Sequence, residues 1–109
     1  MNKNTEKRTE DHFNVLRFIN KDPYANQRRI AKKLGLSLGK LNYCLKELKK
    51  KGFVKINNFK NNKKKINYVY VLTPSGITEK TKLTINFMKR KMQEYDELQN
   101  ELKKNRKRK

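Results

Sequence analysis

The feature that most constrains this chain is a three-residue punctuation, Gly35-Leu36-Ser37, set between two short runs of helical periodicity. Ahead of it, Asn26 is placed to cap a helix over Gln27–Leu34, whose Ile30, Ala31 and Leu34 share one face. Gly35 suits the left-handed position just past the end of that helix. Ser37 then caps a further helix in which Leu38, Leu41, Leu45 and Leu48 recur at spacings of 3, 4 and 3 until Gly52 closes it. Two helices joined by so tight a turn make a helix-turn-helix unit, with the second as its recognition helix.

What flanks the unit completes a domain. Residues 1–8 are polar and are expected to be disordered. A helix is expected from about Thr9 to Lys21, with Phe13, Val15, Leu16, Phe18 and Ile19 at helical spacing before Asp22-Pro23 stops it. After Gly52 the period changes. Phe53, Val54 and Ile56 read as one strand and Tyr68–Leu72 as a richer second one, joined by the cationic, turn-forming stretch from Asn57 to Lys65. A hairpin directly behind a recognition helix is a wing. The expected fold is thus mainly α with a small β-hairpin: a winged helix-turn-helix domain over residues 9–73.

Thr73-Pro74-Ser75-Gly76 starts the last element, since threonine can cap and proline suits a first helical turn. No breaker follows before Lys103, so one helix is expected over 74–103, about 42–45 Å long at ~1.5 Å per residue. Ile85, Met88, Met92, Tyr95, Gln99 and Leu102 fall at alternating spacings of 3 and 4 along it, a coiled-coil-like seam that implies a homodimer. Ile77, Leu83 and Phe87 lie partly off the seam and are expected to hold the helix to the domain. Residues 104–109 form a basic tail.

Charge then bears on function. The chain of 109 residues has a formal net charge of +20, with 23 lysines and 14 asparagines, a bias that A/T-rich codons alone can produce. Distribution is the better witness. Residues 23–76 carry 14 basic side chains and a single acid, Glu47, whereas the other 55 residues carry 16 basic and nine acidic ones. A positive field concentrated in that way suits a polyanion, and a helix-turn-helix unit makes double-stranded DNA the expected partner. A membrane is not expected as partner, because no strongly amphipathic helix accompanies the charge, and no apolar run is long enough to span one. The start of the chain lacks the apolar core of a secretion signal, so a cytoplasmic, nucleoid-associated protein is expected.

The candidate contacts follow from the helical wheel. Between the leucines of the recognition helix, Lys40, Asn42, Tyr43 and Lys46 point outward, with Ser37, Leu38 and Gly39 at its start. Asparagine can pair with adenine N6 and N7, lysine with guanine O6 and N7, and tyrosine or leucine can meet a thymine methyl. Lys60, Lys63, Lys64 and Lys65 at the wing tip suit phosphates or the minor groove. Arg28 and Arg29, at the start of the preceding helix, suit a phosphate. No enzyme is expected: His12 is the only histidine, no acids are paired in a plausible cleft, and no Cys/His cluster offers a metal site, so neither metal nor cofactor is expected. Cys44, beside Leu45, reads as packing, although its modification would disturb the surface that reads DNA. The rival reading is a non-specific nucleic-acid binder, architectural or ribosome-associated, for which charge alone would serve.

The stretches Gln27-Arg28-Arg29-Ile30-Ala31-Lys32-Lys33-Leu34-Gly35-Leu36-Ser37, Leu41–Leu48 and Gly52–Ile56 resemble a MarR-type winged helix. Ser37–Leu45, Lys55–Lys60, Leu72–Ile77 and Phe87–Met92 are similar to a short bacterial branch associated with exopolysaccharide gene clusters. The resemblance implies a homodimeric, sequence-specific transcriptional regulator. Typical MarR proteins build the dimer from N-terminal and C-terminal helices, often around a small-molecule pocket. Here the N-terminal helix reads as short and only the last is long, so no effector is expected.

Overall fold

The computed structural model describes residues 3–61 and 65–107, and the side chains of residues 5–57 and 69–106. In chain order it comprises α1 (Lys3–Lys21), α2 (Gln27–Leu34), α3 (Leu38–Lys50), β1 (Val54–Asn61), β2 (Lys65–Leu72) and α4 (Pro74–Lys107). The winged helix-turn-helix architecture with a long final helix is the one the periodicity predicts.

Local chemistry sets the joints. The Asn26 side chain accepts a hydrogen bond from Arg29 N at 2.8 Å, and Ser37 Oγ accepts one from Lys40 N at 3.1 Å. Each therefore satisfies one of the orphan donors at a helix start. Gly35 ends α2 at φ 67°, where a side chain would be strained, and the chain returns by Leu36 N donating to Ala31 O at 2.9 Å. The turn is fixed by backbone hydrogen bonds at both of its ends.

One core unites the first five elements. Val15, Leu16 and Ile19 of α1, Ile30 and Ala31 of α2, Leu41, Cys44, Leu45 and Leu48 of α3, Val54 of β1, and Tyr70 and Leu72 of β2 are buried together. Full burial of each large aliphatic side chain contributes about 1.5–3 kcal/mol, so this cluster holds α3 against its neighbours. Tyr70 keeps its polar end satisfied, since Gln27 Nε2 donates to its hydroxyl at 3.0 Å.

Three boundaries differ from expectation. Helix α1 begins at Lys3, not near Thr9, so residues 3–8 are helical where disorder is expected from polarity. Its first turns lean on α4: Glu6, Thr9, Glu10 and Phe13 face Leu83, Asn86, Phe87 and Arg90 across a shared cleft, and the Phe13 and Phe87 rings sit 5.4 Å apart. The hairpin is longer than expected, because Val54↔Leu72 pairing continues through Lys60↔Ile66 to Asn61↔Lys65. Most of the polar stretch read as loop is therefore paired strand, in which backbone bonding outweighs weak strand propensity. Helix α4 runs to Lys107, beyond 103 and into the expected tail, for 34 residues or about 51 Å. It stretches the molecule to 72 × 25 × 24 Å.

Ile77 is the fourth correction. It does not hold α4 to the domain: it is 52% exposed, on the same side of the helix as the seam. Leu83 packs on the core and Phe87 on Phe13, as expected.

Candidate nucleic-acid interface

Helix α3 is amphipathic about its leucines, and the opposite face is open. Leu41, Cys44, Leu45 and Leu48 are buried, while Gly39, Asn42, Tyr43 and Lys46 are exposed and lie within one angular sector. Tyr43 at 53% and Leu38 at 46% exposure are large apolar surfaces left open by the described residues. The expected reading face is thus brought together on one rigid element. Ser37 is exposed at the start of the helix, and its hydroxyl is the expected N-cap of α3.

Lys40 departs from the group. Its Nζ lies 3.5 Å from Asp11 Oδ2, a carboxylate buried in α1, so the side chain turns toward α1. Asp11 and the following His12 both face α3. His12 Nε2 stands 3.4 Å from Glu47 Oε1, yet neither atom makes a hydrogen bond among the described residues. Burial lowers the His12 pKa below its ordinary value of 6.5, against the pull of Glu47 and with help from Lys51 and Arg8. The imidazole therefore sits neutral near neutral pH. Cys44 is buried under the same face, and burial, then Asp11 and Glu47, push its thiol pKa up. A suppressed thiolate is a poor redox nucleophile.

The flank formed by α2 is basic. Arg28 and Arg29 are exposed near its start, and Arg29 with Lys32 and Lys33 lines a surface depression. Arg29 Nε lies 3.4 Å from Asp22 Oδ2, which orients one guanidinium and leaves Arg28 as the freer of the two for an anion. Position at a helix start points to Arg28 and Arg29 in the sequence; Lys32 and Lys33, one turn further on, carry no such signal.

The wing places Lys60 and Lys65 in paired strands, with Lys60 opposite Ile66 and Lys65 opposite Asn61. The Lys60 and Lys65 side chains lie outside the described residues, as do Lys63 and Lys64 entirely.

Along α4, the expected seam is a continuous exposed stripe. Ile85, Met88, Met92, Tyr95 and Leu102 are each 48–63% exposed, and Ile77 at 52% and Leu98 at 60% extend and widen it. Leu98 lies one helical turn from both Tyr95 and Leu102, a position that a strict 3-4 alternation passes over. Gln99 is less of an interruption than its polarity suggests, because its Nε2 donates to the Tyr95 hydroxyl at 2.9 Å.

Among the described residues no group of three or more His, Cys, Asp or Glu side chains is placed to hold a metal, and no helix is long and apolar enough to cross a membrane. Residues 12–55, from the second half of α1 through the start of β1, match the family of winged helix-turn-helix DNA-binding domains.

Solved structures share the fold over more of the chain. A MarR/EmrR family transcriptional regulator from Acinetobacter sp. ADP1 aligns at TM-score 0.65 and 21% identity, over 90% of this chain and 73% of that one. The PcaV transcriptional regulator of Streptomyces coelicolor, solved with its natural ligand, aligns at TM-score 0.61 and 16% identity, over 72% of this chain. MarR of Staphylococcus aureus, in complex with salicylate and kanamycin, aligns at TM-score 0.58 and 18% identity, over 84% and 69%. The chain spans only 55% of the length of PcaV. No curated protein matches it in sequence. The molecule is a winged helix-turn-helix protein, and its fold is that of the MarR regulators.

Proposed function

We propose that this chain is a homodimeric, sequence-specific DNA-binding transcriptional regulator of MarR type. The observation that carries the reading is the open face of α3, where Gly39, Asn42, Tyr43 and Lys46 stand exposed on a helix capped at its start and anchored by four buried side chains. The buried side chains hold that face at a fixed orientation to the rest of the domain, as docking in a major groove requires. The basic flank of α2 and the wing supply phosphate contacts on either side, and those contacts position the reading face without specifying sequence.

The apolar stripe of α4 supports the dimer. Seven large hydrophobic side chains at about half exposure or more along one helix face are a surface that a partner of the same kind covers. Two recognition helices so joined would meet successive major grooves about 34 Å apart. The similarity of Ser37–Leu45 and Leu72–Ile77 to the exopolysaccharide-associated branch supports control of exopolysaccharide genes, from a cytoplasmic location. PcaV and the staphylococcal MarR were each solved with small molecules; no effector is assigned to this chain.

Selection of bound sequences from a random DNA pool, followed by titration against random competitor, tests the reading. A specific regulator discriminates by about 10³ or more. With six to eight phosphates neutralised, affinity should fall by about 10³ to 10⁴ between 50 and 200 mM salt. Replacing Asn42 and Tyr43 by alanine should relax sequence preference, whereas replacing Lys63, Lys64 and Lys65 should weaken binding to every duplex alike. A pool that never converges, with steep salt dependence retained, would establish the non-specific binder instead.

A further inference from the structure

The start of α1 stands beside the recognition helix. Lys7, Arg8 and Asp11 of α1 and Lys40, Tyr43 and Cys44 of α3 line one cavity of about 230 Å³. Charge within it is unbalanced. Three cations face a single carboxylate, and that carboxylate, on the buried Asp11, already lies 3.5 Å from Lys40. Lys7 and Arg8 are both exposed, and no acid lining the cavity is left to neutralise them. Tyr43, on the reading face of α3, forms part of the same wall. A side chain entering a major groove from that wall brings the groove's edge, a row of phosphates, to within reach of long basic side chains beside it.

We infer that Lys7 and Arg8 form a phosphate-binding site for the DNA strand bordering the groove that α3 enters. This inference rests on the DNA-binding reading and adds a contact from an element outside the helix-turn-helix unit. It also accounts for the position of Lys40. Asp11 draws Lys40 toward the cavity and takes up its charge, so Lys7 and Arg8 are the cations left for the strand edge, while Asn42, Tyr43 and Lys46 are left to the bases. Arginine offers a planar fork that matches two phosphate oxygens, and lysine adds a point charge beside it. The ligand class is a DNA backbone phosphate. A free phosphate ion offers the same oxygens without the rest of the duplex, so competition by inorganic phosphate separates the two sources.

The test uses the full chain. Lys7→Ala/Arg8→Ala is compared with Lys103→Ala/Lys104→Ala, which removes the same net charge from the far end of α4. Binding of the selected duplex is followed by fluorescence anisotropy from 50 to 300 mM salt, with circular dichroism and thermal melting to check that each variant is folded. Two lost phosphate contacts should lower the slope of log K against log salt by about 2 and weaken binding at least about tenfold at 100 mM salt. Specific and random duplexes should be affected alike. The matched-charge control should change the slope by less than half as much. Millimolar inorganic phosphate, with ionic strength held constant, should leave wild-type affinity unchanged; competition at that level would assign the site to a free anion. An unaltered slope in a folded Lys7→Ala/Arg8→Ala variant, or equal slopes for the two double variants, overturns the inference while wild-type binding stands. Failure of the wild-type chain to bind any duplex overturns the DNA-binding reading itself.

Discussion

Gly76→Ala is a one-carbon change with a computable consequence. Gly76 sits in the first turn of α4, and a Cβ built on it would lie 2.0 Å from the Phe53 carbonyl oxygen and 2.9 Å from its carbon. Ordinary contact begins near 3.4 Å, so the two backbones must part by about 1.4 Å. No flexible side chain can absorb this, because the obstacle is a peptide group that also accepts a hydrogen bond from Thr73 N at 3.0 Å. Overpacking of this kind costs about 1–3 kcal/mol, and the lost hydrogen bond adds about 1 kcal/mol. Alanine returns up to about 1 kcal/mol through its better helix propensity. A net loss of about 1–3 kcal/mol lowers the melting temperature of a domain this size by roughly 5–20 °C. Gly39→Ala is the internal control: its Cβ would meet nothing within 4 Å, so melting should stay level or rise by a few degrees. Thermal unfolding followed at 222 nm reads both. Equal melting temperatures for wild type and Gly76→Ala would refute the close approach of α4 to the base of the wing.

Two further outcomes are expected. Because the His12 pKa is lowered on folding, the unfolded chain binds more protons, so stability is fully present above about pH 6.5 and is lost as pH falls toward the folded value. His12→Gln should flatten that loss in melting curves between pH 7.5 and 5; an equally steep curve would place the acid sensitivity elsewhere. Met88→Lys with Met92→Lys puts two charges into the α4 stripe, where both residues are more than half exposed in the single chain. Sedimentation should show monomers that keep their helical content, and a surviving dimer would move the contact off this stripe.

Much of the fold was legible because its signals are local. Asn26, Gly35 and Ser37 mark helix ends through backbone chemistry that needs no distant partner, and the leucine spacing of α3 fixes its buried face. What was not legible depends on tertiary contact. Lys3–Arg8 carry no apolar periodicity, and only α4 beneath the start of α1 turns them into helix. Ile77 reads as an anchor by hydrophobicity, but the direction in which α4 leaves Phe53 turns it outward. Lys40 reads as outward by its spacing, and its pairing with Asp11 of α1 at 3.5 Å is a tertiary contact that spacing does not show. Asn42, Tyr43 and Lys46 were legible for a simple reason: once the leucines are buried, the opposite sector of a helix has nowhere to point but outward.

The same joint that makes Gly76 sensitive also ties reading to pairing. Gly52 closes α3 at φ 79°, and its carbonyl accepts from the Thr73 hydroxyl. Thr73 N donates to Phe53 O, and Thr73 Oγ1 in turn accepts from Gly76 N at 3.0 Å, which caps α4. The end of the recognition helix, the base of the wing and the start of α4 therefore meet at a few backbone groups, with Thr73 bonded to all three. In the proposed dimer α4 is the arm that sets the distance between two α3 helices, and an arm about 51 Å long converts a small angular error at its root into several ångströms at its tip. A rotation of 5° there displaces the far end by about 4 Å, more than one base-pair rise. Tight backbone closure at Gly52, Phe53, Thr73 and Gly76 is what a dimer needs if its spacing is to match the DNA rather than follow it.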